Sequence, residues 1–133
     1  MAWLPDTNTW ITYLKTPQSS VRTRLESLRP ADVSLCSVVK AELLHGAEKY
    51  GNRERRLSLL RELFAPYASL AFDDAAAAEY ARIRHDLETA GNVIGPSDLM
   101  IAAIALANNQ TLVTHNTVEF TRVRGLVVED WQK

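Results

Sequence analysis

The chain has 133 residues, 47% apolar and 23% charged, with a formal net charge of −1 and a single cysteine. That length and composition fit one soluble globular domain, 1–133. Cys36 alone excludes an internal disulfide, and the longest apolar run, Leu99 to Ala107, is far shorter than a membrane span. Bulk charge predicts neither a nucleic-acid surface nor an acidic tail, although Arg53, Arg55, Arg56 and Arg61 crowd one stretch. The opening MAWLPDTNTW does not read as a signal peptide, so a cytoplasmic protein is expected.

Trp3-Leu4 begins a first strand, and Thr7 to Leu14 reads as a helix stopped before Pro17. Val21, Leu25 and Leu28 recur at helical spacing until Arg29-Pro30 closes that segment. Val33 to Cys36 is a second strand, and Val38 to Tyr50 a helix ending at Gly51. Asn52 is placed to cap the next helix, which carries Leu57, Leu60, Leu63 and Phe64 before Pro66. Ser69 to Phe72 is a third strand, and Asp74 to Ala90 a helix stopped by Gly91. Gly95-Pro96 opens a helix that is apolar on every side and therefore buried all round. Thr111 to Thr114 is a fourth strand and Leu126 to Val128 a fifth. Strands separated by helices predict an α/β fold, a mostly parallel sheet of four to five strands covered by helices on both faces.

In such a sheet, ligands bind beyond the carboxyl ends of the strands. Asp6 follows the first strand directly and reads equally as the N-cap of the next helix. Glu42 lies at the edge of the stripe formed by Val39, Leu43, Gly46, Ala47 and Tyr50, where a carboxylate wants a partner or a cation. Asp98 takes the third position of the buried helix, where it can serve the helix dipole or a ligand. The segment Asn116 to Glu119 follows the fourth strand. Unit charges about 4 Å apart repel by roughly 4 kcal/mol at an effective dielectric of 20, so three such groups bind protons or a hard cation. Magnesium suits them, because it takes a few carboxylate oxygens and keeps several waters. Zinc does not: His45, His85, His115 and Cys36 have no ligand spacing.

Four segments, LPDTNTW, SVVKAELLHGAEK, GPSDLMIAA and LVTHNTVEFTRVRGL, occur in the order and spacing of a known family. With them the chain resembles, over its whole length, the VapC toxins of the PIN-domain ribonucleases. The resemblance implies a three-layer PIN-like fold, a homodimer, a cognate VapB-type antitoxin that blocks the site, and metal-dependent cleavage of RNA, often a transfer RNA. It also implies that Asp6, Glu42 and Asp98 hold Mg²⁺ (or Mn²⁺). Asn116 stands where many members carry a further aspartate, and Glu119 approaches the site if its segment forms a helical turn. Thr7, Asn8 and Thr114 match polar positions near the site that orient ligands or waters. Pro5 is unusual, since it removes a ladder N–H from a strand that should be central.

Two other readings compete. An aspartate-nucleophile phosphatase would also place Asp6 after the first strand, but it wants a second aspartate where this chain has Asn8. A PIN-like interaction domain, weakened in catalysis by Asn116 or Pro5, would act mainly by binding its antitoxin.

Overall fold

The computed structural model describes residues 2–132, so Met1 and Lys133, the ends of the expected 1–133 domain, lie outside it. Strand β1 (Trp3–Pro5) leads into α1 (Thr7–Lys15) and α2 (Ser20–Glu26). After a 3₁₀ turn (Pro30–Asp32) come β2 (Ser34–Cys36), α3 (Ser37–Lys49), α4 (Arg53–Phe64) and β3 (Ala68–Leu70). The remainder is α5 (Asp74–Ala90), α6 (Pro96–Ala107), β4 (Thr111–Val113), α7 (Thr117–Phe120) and β5 (Val128–Glu129).

All strand pairs are parallel. One ladder runs β1-β4-β5 and a second pairs β2 with β3. A single bridge, Trp3 to Val33, joins the two into the order β3-β2-β1-β4-β5. This is the expected parallel sheet, with all five carboxyl ends on one edge. Pro5 explains why the central junction is so thin. The Asp6 N–H donates to the Val113 carbonyl, 2.9 Å, so by alternation Pro5 faces β2. It has no N–H to give there, while the β1–β4 ladder loses nothing.

Helix α6 is the centre of the core. Leu99 and Ile101 to Ala105 are all buried, as an apolar surface on every side requires. It packs chiefly against α5, which presents Ala76, Ile83 and Leu87. Among the described residues no helix is long and apolar enough to cross a membrane. The C-terminal segment is fastened by Glu129, whose carboxylate accepts from the indoles of Trp3 and Trp131 at 3.2 and 3.1 Å. Arg24 lies over both rings.

Several local expectations need correction. Asn52 stands before α4 but does not cap it: its φ of 62° is left-handed, and its side chain makes no cap bond. Tyr50 is 55% exposed rather than part of the buried stripe of α3, because the backbone at Tyr50 has already left the helix. Helix α2 ends at Glu26, before Leu28. Strand β3 lies slightly earlier than Ser69 to Phe72, and β5 is shorter and later than Leu126 to Val128.

Ile104→Ala, on a helix buried on every side at that point, should lower the unfolding free energy by about 2–5 kcal/mol. Urea titration of both proteins measures this, and a loss below about 1 kcal/mol would mean that α6 is not packed as described.

Candidate active site

Asp6 is the N-cap of α1, in extended backbone (φ −75°, ψ 175°). Its Oδ1 accepts from the Thr9 N–H at 2.9 Å and from the Thr9 hydroxyl at 2.7 Å. Both residues are buried. Capping and site-building therefore coincide: the bonds that finish the helix N-terminus also fix the carboxylate at the end of β1 and leave Oδ2 uncommitted by them. Thr9 is the partner of Asp6 that sequence reading missed. The signal was present, a hydroxyl three residues after a capping aspartate, where side chain and N–H can both return to the cap.

Glu42 projects from the second turn of α3. It is exposed, and its Oε1 accepts from the Thr7 hydroxyl at 2.5 Å, which ties α3 to the first residue of α1. Asp98 is half-buried at the third position of α6, after Gly95 as N-cap and Pro96 as first residue. Its carboxyl is pushed up to about 6 from an ordinary value of 3.8. Burial is the largest cause, followed by the negative charges of Asp6, Glu42 and Glu119. Asp6, Glu42 and Glu119 thus lie within electrostatic range of Asp98. Residues 117–120 do form a helical turn, α7, the condition on which Glu119 is expected to approach.

The other expected residues divide. Thr114 is fully buried, and its hydroxyl accepts from the Asn116 N–H at 3.0 Å, shaping the loop after β4. Asn116 begins α7, with an exposed side chain that makes no cap bond. Asn8 is exposed on α1.

None of Asp6, Glu42, Asp98 or Glu119 takes part in an ion pair, although ten such pairs occur among the described residues. Nor do three acidic, imidazole or thiol groups among the described residues stand close enough to enclose an ion as placed. Crowded oxygen donors without a protein cation fit a hard divalent ion that keeps much of its water, and do not fit a fully protein-ligated site. Beside Glu42 an apolar groove of about 280 Å³ runs between α1, α3 and α4, lined by Ile11, Leu14, Leu43, Tyr50 and Leu59.

Residues 3–126 match the PIN domain family. The chain is 38% identical over 131 residues to the tRNA(fMet)-specific endonuclease VapC of Shigella flexneri, covering 98% of each. It is 34% identical over 134 residues to ribonuclease VapC2 of Rickettsia felis, covering the whole of both. Among solved structures it superimposes on VapBC2 from Rickettsia felis bound to a promoter DNA fragment, with a TM-score of 0.92 and 32% identity over 98% of this chain and 99% of that one. DNA-bound VapBC from Salmonella typhimurium gives a TM-score of 0.92 at 34% identity, over 98% of each chain. The chain belongs to the PIN-domain family, in its VapC branch.

The raised Asp98 carboxyl has a consequence for folding. Between about pH 4 and 6 the folded protein holds a proton that the unfolded chain has released, so metal-free stability falls as pH rises through that window. Asp98 is half-exposed, and solvent screening keeps the effect near 1 kcal/mol. Asp98→Asn should remove this loss, leaving the metal-free variant at least as stable as the wild type above about pH 6. Denaturant titrations at about pH 5 and pH 7.5 test it; a wild type equally stable at both, relative to the variant, would contradict the crowding.

Proposed function

We propose that this protein is a divalent-metal-dependent endoribonuclease, the toxin of a toxin–antitoxin pair, acting in the cytoplasm on initiator transfer RNA. The single observation that carries the reading is the crowding of Asp6, Glu42 and Glu119 on Asp98 at the carboxyl edge of a parallel sheet. The similarity to the VapC ribonucleases of Shigella flexneri and Rickettsia felis supports the activity, and the tRNA(fMet) specificity of the former supports the substrate. The VapBC assemblies on which the chain superimposes support an antitoxin partner.

Asp6, Glu42 and Asp98 would hold the ion, Mg²⁺ or Mn²⁺. Bound there, it would supply positive charge to a scissile phosphate and acidify an attacking water. The protein's own part is positioning. Thr9 holds Asp6, Thr7 holds Glu42, and the buried body of α6 keeps Asp98 from withdrawing. Glu119 and Asn116 face the same edge from the β4 side, where they can orient water and substrate. No side chain is needed as a nucleophile. The antitoxin would lay an apolar segment in the groove of Leu14, Tyr50 and Leu59, whose rim includes Glu42, and so cover the site. Family resemblance supports a homodimer.

Purified protein should cleave initiator transfer RNA with Mg²⁺ and stop on EDTA addition. Asp98→Asn should lower cleavage by about 100-fold or more, and Mg²⁺ should raise the melting temperature of the wild type more than that of the variant. Full activity of the variant with an unchanged Mg²⁺ effect would remove Asp98 from the site. A wild type that binds antitoxin but cleaves no RNA would leave the interaction-domain reading instead.

Leu59→Asp, on the exposed wall of the groove, should weaken antitoxin binding by about tenfold or more while sparing cleavage. Titration calorimetry with the antitoxin and an RNA assay separate the two; undiminished binding would place the antitoxin elsewhere.

A further inference from the structure

Immediately beyond the β4–β5 ladder, whose last bond runs from the Thr114 N–H to the Glu129 carbonyl, residues 115 and 130 meet side chain to side chain. The Nδ1 of His115 lies 3.0 Å from Oδ2 of Asp130. The Asp130 side chain is only 6% exposed, against 63% for His115, and its other oxygen accepts the Gln132 N–H at 2.9 Å. A buried carboxylate with both oxygens committed thus grips one nitrogen of an imidazole that otherwise stands in solvent. No step proposed above uses either residue.

A carboxylate only accepts, so Nδ1 carries the hydrogen. In the neutral ring Nε2 is then an outward-facing acceptor whose direction is fixed by Asp130. The pair sits on the same sheet edge as the carboxylate cluster. His115 is one residue from Thr114 and Asn116, and Val113 on the same strand is bonded to Asp6. Asp130 pulls the ring toward β5, so the acceptor lies one or two strand spacings, roughly 5–10 Å, from the β1 side of the cluster. A strand of RNA with its phosphate over the cluster would carry a neighbouring ribose across this point. The 2′-hydroxyl is the ribose donor that DNA lacks.

We propose that His115, aimed by Asp130, accepts a hydrogen bond from the 2′-hydroxyl of a nucleotide beside the cleaved phosphate, and so helps this chain select RNA over DNA. The inference rests on the ribonuclease reading. It adds a specificity-determining residue on the β5 side of the site, distinct from the residues that would hold metal.

The test uses the full chain and a synthetic RNA spanning the mapped cleavage position, made also with a single 2′-deoxy substitution at each flanking nucleotide in turn. With wild type, one of these substitutions should slow cleavage by about tenfold, the loss of one hydrogen bond. With His115→Ala, cleavage of the all-RNA substrate should fall by a similar factor, and the same deoxy substitution should then have no further effect. A merely structural His115–Asp130 contact would change rate or melting temperature without changing the response to a deoxy position. A deoxy effect equal in wild type and His115→Ala at every position overturns the proposal while leaving the ribonuclease reading intact. A wild type that cleaves no RNA overturns both.

Discussion

Helix α6 has no surface to spare. With Leu99 and Ile101 to Ala105 all buried, its position is set by the core on every side, and the carboxylate at its third residue goes wherever that packing puts it. Asp98 is therefore held partly buried and within range of the Asp6, Glu42 and Glu119 charges, and its carboxyl is raised by burial first and by those charges second. Packing free energy from a whole apolar helix outweighs the few kcal/mol that like charges exert at this range. A site assembled from flexible loops would relax by moving its carboxylates apart. Here Asp98 is anchored to the core through its helix and cannot withdraw without disturbing it.

The remaining site residues are bound in by local bonds that also serve the fold. Asp6 ends a strand, caps a helix and faces the cluster, with Thr9 returning two donors to one of its oxygens. Glu42 is exposed, and the Thr7 hydroxyl donates to it from another helix. Burial thus falls from Asp6 through Asp98 to Glu42. On the far side, the His115–Asp130 pair repeats the device of an exposed polar group steered by a buried one.

Elements with strong punctuation were legible from sequence to the residue. Gly91 closes α5 in left-handed backbone (φ 74°), and Gly95-Pro96 opens α6, where glycine and proline leave few alternatives. The short strands were harder, because three residues of β3 or two of β5 carry little periodicity and their limits depend on what pairs beside them. Asn52 misled because its residue type favours both a cap and left-handed backbone, and only the chain path decides between them. Of the proposed site, Asp6, Glu42 and Asp98 could be singled out as candidates from strand ends and helix phase. Thr9 was hidden inside an apparent helix face, and the role of His115 depends on a partner fifteen residues away that no local pattern connects to it.

The proline at the end of β1 divides the sheet into two panels. Because Pro5 offers β2 no donor, the panel of β2, β3 and α3 adjoins the panel of β1, β4 and β5 through one backbone bridge and side-chain packing. Glu42 belongs to the first panel, while Asp6 and the loop leading to Glu119 belong to the second. The relative placement of the two carboxylates therefore depends on that bridge and on side-chain contacts, not on a continuous ladder. In an unbroken sheet backbone hydrogen bonds would hold those two carboxylates in place; here the Thr7 hydroxyl bonded to Glu42 spans the seam instead.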